Sequence, residues 1–151
     1  EILSVEMIDD AGNVKPSGSV SFQHDQFVVR IYVSCRKAVQ NPAVWIKFSR
    51  SDGVLATSWL SHEPVWRDIG VLQPGINEIE LSAVDLLLGD GLYNVAVGLF
   101  PEKQGPESAF YNDPLAMIDP ALRTEVKRRS RPLVTLFDQP FEVKLKSLGA
   151  N

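Results

Sequence analysis

The sequence predicts an all-β chain folded as an immunoglobulin-like antiparallel β-sandwich. Three observations predict it. Apolar residues recur at every second position over short runs, Gly, Pro, Asn and Asp bound each run, and no segment carries a long helical apolar stripe. Seven to nine short strands at this spacing form two packed sheets rather than one.

Ile2 to Ile8 reads as the first strand, closed by the turn-rich Asp9-Asp10-Ala11-Gly12-Asn13. From Gln26 to Cys35, Phe27, Val29, Ile31, Val33 and Cys35 point one way and Val28, Arg30, Tyr32 and Ser34 the other. Ala43 to Arg50 sets Val44, Ile46 and Phe48 against Trp45, Lys47 and Ser49, and Ser51-Asp52-Gly53 turns it into Val54 to Ser61 as a hairpin. In that second arm a one-residue slip exchanges the faces of Trp59 and Leu60, and the pattern leaves both registers open.

Gln73-Pro74-Gly75 introduces a strand from Ile76 to Leu81, with Ile76, Glu78 and Glu80 opposite Asn77, Ile79 and Leu81. Ser82 to Leu88 is either a helical turn or a crossing segment. Gly89-Asp90-Gly91 then opens the strand Leu92 to Phe100, and Phe141, Val143 and Leu145 alternate with Glu142, Lys144 and Lys146 in the last one. Between them the pattern weakens, and prolines at 101, 106, 114, 120 and 132 punctuate a long insertion at about 101–140. Phe110 to Ile118 reads there as a short strand or wrap, Pro120 to Arg129 as a helix and Leu133 to Phe137 as a short strand.

With 151 residues the chain makes a single domain, residues 1–151, that buries roughly 68–70% of its unfolded surface without a metal or disulfide staple. A net charge of −4 and a pI near 5.1 argue against a domain built to grip phosphate backbones. The lone Cys35 fits a reducing compartment, with the cytoplasm as default, and no apolar run reaches the 18 residues of a spanning helix. The opening Glu1-Ile2-Leu3, with no methionine and no leader pattern, reads as a segment excised from a longer protein.

Tyr93 follows the Gly89-Asp90-Gly91 turn at the start of its strand. In immunoglobulin-like sandwiches a tyrosine so placed turns its hydroxyl back onto the corner backbone while its ring joins the core. An ordinary core aromatic is the other reading, and both are structural.

Taken in order, an opening strand, Val-Trp-Ile-Lys-Phe-Ser-Arg-Ser-Asp-Gly (44–53), Leu-Gln-Pro-Gly-Ile-Asn-Glu-Ile-Glu-Leu (72–81), Leu-Leu-Leu-Gly-Asp-Gly-Leu-Tyr-Asn-Val-Ala-Val (86–97) and Gln-Pro-Phe-Glu-Val (139–143) resemble one family along nearly the whole chain. The chain resembles the C-terminal domains of Wzt-type proteins, the ATP-binding subunits of transporters that export O-antigen polysaccharide. The resemblance implies a non-catalytic sandwich, without a cofactor of its own, that recognises the non-reducing end of the exported glycan. It also implies a homodimer working in the cytoplasm, peripheral at the inner membrane through the transporter complex. No Gly-x-x-x-x-Gly-Lys-Ser/Thr phosphate loop occurs, so the ATPase portion is expected on a separate domain.

A glycan surface needs exposed aromatic rings beside hydrogen-bonding groups, because sugars are apolar on their ring faces and rich in hydroxyls at their edges. The outward residues of the predicted strands supply Arg30, Tyr32, Trp45, Lys47 and Asn94, with Trp59 as a further candidate. Ala96 and Gly98 share the face of Asn94 and leave room for a ligand or another segment to approach. The alternative is that Tyr32 and Trp45 are covered by the long 101–140 segment.

Other chemistry is poorly supported. His24, His62 and Cys35 are too few and too scattered for a zinc pattern, and Glu78 and Glu80 on one strand face read as solvated acids rather than a hydrolytic pair. The run Lys127-Arg128-Arg129-Ser130-Arg131 reads as a solvated charge run or as a contact for an anionic partner, with nucleic acid excluded by the acidic total. The competing function is an immunoglobulin-like interaction or dimerisation module with no glycan ligand.

Overall fold

The computed structural model describes residues 1–61, 69–101, 113–128 and 141–149. Among the described residues twelve strands run in the order β1 (Ile2–Ile8), β2 (Val14–Lys15), β3 (Val20–Phe22), β4 (Phe27–Cys35), β5 (Val39–Gln40) and β6 (Ala43–Arg50), then β7 (Leu55–Leu60), β8 (Val71–Leu72), β9 (Gly75–Ala83), β10 (Gly91–Phe100), β11 (Ala116–Lys127) and β12 (Glu142–Ser147). One sheet has the order β12-β9-β4-β1-β2 and the other β3-β11-β10-β6-β7, with β5 and β8 forming a separate pair. The fold is the predicted β-sandwich. Its pairings are antiparallel except that β3 lies parallel to β11.

The core forms where the alternation said it would. Val29, Ile31, Val33, Ile79 and Leu81 from the first sheet meet Ile46, Phe48, Val95, Val97 and Leu99 from the second, all buried in one cluster. At roughly 1.5–3 kcal/mol per fully buried aliphatic or aromatic side chain, this layer is the main source of stability. Among the buried polar residues, Asn77 and Thr124 are each satisfied by hydrogen bonds. Asn77 accepts from the Gln73 N–H at 2.9 Å and donates to its carbonyl at 2.8 Å, clasping the turn into β9. Thr124 donates to the Ser19 carbonyl at 2.9 Å and accepts from the Ser21 hydroxyl at 2.7 Å, tying β11 to the parallel β3.

The β6–β7 hairpin closes as expected: the Gly53 N–H donates to the Arg50 carbonyl at 2.8 Å, and Gly53 holds φ 87°, the left-handed residue such a loop needs. Ser82 to Leu88 resolves as the last residues of β9 followed by a crossing segment, not a helical turn. Leu86 and Leu88 plug the core from it, and its Leu86 N–H donates to the Asp25 carbonyl at 3.0 Å.

The helix expected from Pro120 to Arg129 is instead the body of β11. Leu122, Thr124 and Val126 face the core and Arg123, Glu125 and Lys127 face away, so a two-residue period was present behind the proline. The register shifts between Val95↔Leu122 and Val97↔Ile118, so Asp119, Pro120 and Ala121 bulge opposite Ala96. A bulge is where a sheet tolerates a residue with no N–H to donate. The stretch read as an insertion therefore contributes a full strand beside β10. The short strand expected before Ile118 starts only at Ala116, and residues 110–112 and Leu133 to Phe137 lie outside the described residues.

Candidate functional site

The six candidate residues do not share one surface. Arg30 and Tyr32 stand on the outer face of the first sheet, whereas Trp45, Lys47 and Asn94 stand on the outer face of the second, on the far side of the sandwich. Trp59 takes the inward register: it is 9% exposed, in the main core, with its ring 5.4 Å from that of Phe141. Leu60 takes the outer face instead, directly opposite Trp45.

On the first sheet Arg30 pairs in register with Glu80 of β9 and Glu6 of β1, and Glu80 in turn with Lys144 of β12. The Arg30 guanidinium donates to Glu80 at 3.3 Å and faces Glu78 at 3.6 Å. Burial opposes its charge, but the Tyr32 hydroxyl and the two carboxylates outweigh that and hold Arg30 above the ordinary arginine value. A charge engaged this way closes a ladder across the sheet. Glu78 and Glu80 flank a cation rather than a bond to be hydrolysed.

The second sheet offers more. Trp45 of β6 and Met117 of β11 flank Gly98 of β10 in one row, and Lys47 of β6 flanks Ala96 in the next, opposite the β11 bulge. A side chain on Gly98 would meet Trp45 Cε3 and Phe100 Cε2, each 3.2 Å from where its Cβ would lie. Gly98 is thus small because neighbouring side chains lie over it. The Trp45 and Phe100 rings meet edge to face at 6.3 Å, and Phe100, Ala43 and Leu60 form a small apolar cluster under Trp45. Beside it the Lys47 ammonium reaches past Ala96 to bond Asp119 Oδ2 at 2.6 Å, and it sits 5.4 Å from the Trp45 ring centroid.

Next along the face, Asn94 lies between Ser49 of β6 and the exposed Arg123 of β11. The outcome is a half-buried indole, an ion pair still partly open to solvent, and a row of hydrogen-bonding groups. Asp119 and Met117 belong to this surface but were not among the candidates: Pro120 hid the strand position of Asp119, and Met117 fell in the stretch read as a short strand or wrap, which assigned it no face. A cleft of about 90 Å³ at the β1–β2 side, lined by Met7, Lys15, Ser21, Asp25 and Phe27 among others, holds none of the six candidates.

Among the described residues no group of three or more His, Cys, Asp and Glu is placed to hold a metal ion. His24 pairs with Asp85 at 2.8 Å, and His62 lies outside the described residues. Burial pushes the Cys35 thiol up, which disfavours the thiolate a nucleophile needs. Of the basic run, Lys127 is exposed near Glu125, but the Arg128 side chain is only 3% exposed and packs over Gly89 with Asp90 beside it. Arg128 serves the corner, and residues 129–131 lie outside the described residues. Among those described, no helix is long and apolar enough to cross a membrane.

No protein-family model matches the chain, and no curated protein matches it. Among solved structures it is similar to one described as the crystal structure of the C-terminal domain of Wzt, with a TM-score of 0.67 and 17% identity over 91% of this chain and 78% of that one. The two share a fold.

Proposed function

We propose that this chain is a non-catalytic carbohydrate-binding sandwich that recognises O-antigen polysaccharide, at its non-reducing terminus, for export by an ABC transporter. The observation that carries the reading is the Wzt C-terminal-domain fold along 91% of the chain. The outer face of the second sheet supports it, because Trp45, Lys47, Asp119 and Asn94 combine an aromatic platform with donors and acceptors, as sugars require. In this reading the domain works as a homodimer beside an ATP-hydrolysing subunit at the cytoplasmic side of the inner membrane. Arg30 and Tyr32 belong to a structural face, and Trp59 to the core.

Titration of O-polysaccharide fragments, followed by tryptophan fluorescence and calorimetry, tests it. Wild type should bind, and Trp45→Ala and Asn94→Ala should each weaken binding about tenfold or more, in line with the roughly 1–3 kcal/mol of a lost stacking ring or buried hydrogen bond. A folded chain that binds no fragment sinks the proposal.

Val54, Leu55 and Leu92, each more than half exposed at the hairpin end of the same sheet, favour a second reading in which a protein partner covers this face. Sedimentation alongside a glycan array separates the two. Tight self-association or partner binding with an empty array selects the interaction module.

A further inference from the structure

Arg123 of β11 is exposed on the outer face of the second sheet, and its main chain is pinned at both ends of the residue. Its N–H donates to the Ser17 hydroxyl at 3.0 Å and its carbonyl accepts from the Gly18 N–H at 2.8 Å, so the loop before β3 fixes where the side chain starts. The head of that side chain is left open. Among the described residues no carboxylate lies within ion-pair reach of the guanidinium, although Asp119 and Glu125 stand on either side of it along the strand. Asp119 is held by Lys47 at 2.6 Å, and Glu125 faces Lys127 at 3.7 Å. With both neighbouring acids matched by lysines, Arg123 carries the surplus charge of this part of the face.

Arg123 pairs in register with Asn94 of β10, and Asn94 with Ser49 of β6. Directly opposed residues have Cβ atoms about 5 Å apart, so the three side chains make a row about 10 Å long. Asn94 and Ser49 are half-buried, and among the described residues neither the amide nor the hydroxyl is engaged by another protein group. A guanidinium can only donate, and its planar fork matches the two oxygens of a carboxylate. The amide and hydroxyl beside it both donate and accept, which matches the hydroxyls of a sugar ring.

We propose that the row Arg123, Asn94 and Ser49 is a subsite for a carboxylate-bearing sugar of the glycan, its carboxylate on Arg123 and its ring hydroxyls on Asn94 and Ser49. The inference rests on the carbohydrate-binding reading and names the sugar class that this face takes. Because the guanidinium stands in water, an acidic sugar should be preferred over its neutral parent by about threefold to fivefold at low salt. The preference should shrink in 1 M NaCl, where the screening length falls to about 3 Å.

The test titrates the chain by calorimetry, and by NMR of the Arg123 Nε–H signal, with oligosaccharides ending in D-glucuronic acid or D-glucose, and in D-galacturonic acid or D-galactose. Each pair differs only in a carboxylate or a hydroxymethyl at C6. The expected result is tighter binding of at least one acidic member by threefold or more, with that preference lost in Arg123→Gln while the neutral member still binds. Lys144→Gln, which makes the same change of net charge on the outer face of the first sheet, should keep the preference. Equal affinities within both pairs, a preference unchanged in Arg123→Gln, or one lost equally in Lys144→Gln overturn the subsite while leaving glycan binding intact. So does an Arg123 signal that responds as strongly to free acetate at the same concentration. No response to any of the four sugars, nor to O-polysaccharide fragments, overturns the glycan reading and the subsite together.

Discussion

The Tyr93 hydroxyl donates to the Gly89 carbonyl at 2.8 Å, four residues back along the chain, while its ring is 5% exposed in the main core. One side chain therefore fastens the entry corner of β10 and fills the layer beneath it. The ring also lies 3.5 Å from where a Cβ on Gly91 would stand, so the corner glycine and the tyrosine fit each other. Tyr93→Phe keeps the ring and leaves a carbonyl without its donor. It should cost about 1–2 kcal/mol, read as a lower urea midpoint at unchanged m value.

The same hydroxyl predicts an alkaline limit. Burial raises the Tyr93 pKa above its ordinary 10.0, against the opposing pull of Arg50 and Arg128. The native state then holds its phenolic proton more tightly than the unfolded chain. This contribution is fully present below pH 10 and is lost as pH rises through the higher native value. Midpoints measured from pH 8 to 11.5 should fall more steeply for wild type than for Tyr93→Phe. Parallel curves would show that the tyrosine titrates alike in both states.

Much of this was legible in the sequence, for a physical reason. Period-two alternation reports which face of a strand is buried, so Val29, Ile46, Ile79 and Val95 could each be assigned an interior from their neighbours alone. What alternation does not report is which sheet a strand joins. Arg30 and Trp45 both read as outward and both are, yet β4 and β6 lie in opposite sheets, so residues grouped as one surface stand on two. Trp59 and Leu60 show the other limit: two large apolar neighbours leave the register to pairing, here Ile46↔Trp59. Asp119 was lost to a proline whose cost is absorbed by a bulge that only the partner strand reveals, and Met117, in the stretch read as a short strand or wrap, had no face assigned.

Gly98→Ala tests the packing of the candidate face. The added methyl would lie 3.2 Å from both the Trp45 and Phe100 rings, tighter than ordinary contact. Phe100 is 5% exposed and has little room to retreat, so overpacking should cost about 1–2 kcal/mol rather than stabilise the strand. Tryptophan emission should shift with it as the Trp45 ring is displaced. A stability gain would mean that the rings give way freely.

Arg30→Met separates the two outer faces. Removing the guanidinium leaves Glu78 and Glu80 side by side on a face that is only about a quarter exposed there. The loss should be about 1 kcal/mol or more at low salt, and smaller in 1 M NaCl, where the screening length shrinks to about 3 Å. Glycan affinity should not change, because Arg30 lies across the sandwich from Trp45. A variant that loses binding but not stability would return Arg30 to the site.

Lys47 and Asp119 should behave in the opposite way. Their side chains are 26% and 43% exposed, so water screens much of the attraction, and a double-mutant cycle with Lys47→Met and Asp119→Asn should give a stability coupling of only about 0.2–1 kcal/mol. Their effect on ligand binding should be larger, since the bond presents the carboxylate at a set position beside the indole and keeps it from swinging into solvent. Asp119→Asn retains an acceptor and should bind glycan within a few-fold of wild type; Lys47→Met removes the donor that holds it and should weaken binding by about tenfold. The discriminating measurement is the affinity of both variants alongside their urea midpoints. If Lys47→Met instead costs several kcal/mol of unfolding free energy, the pair is a structural strut of the β6–β10–β11 face and not part of a binding surface.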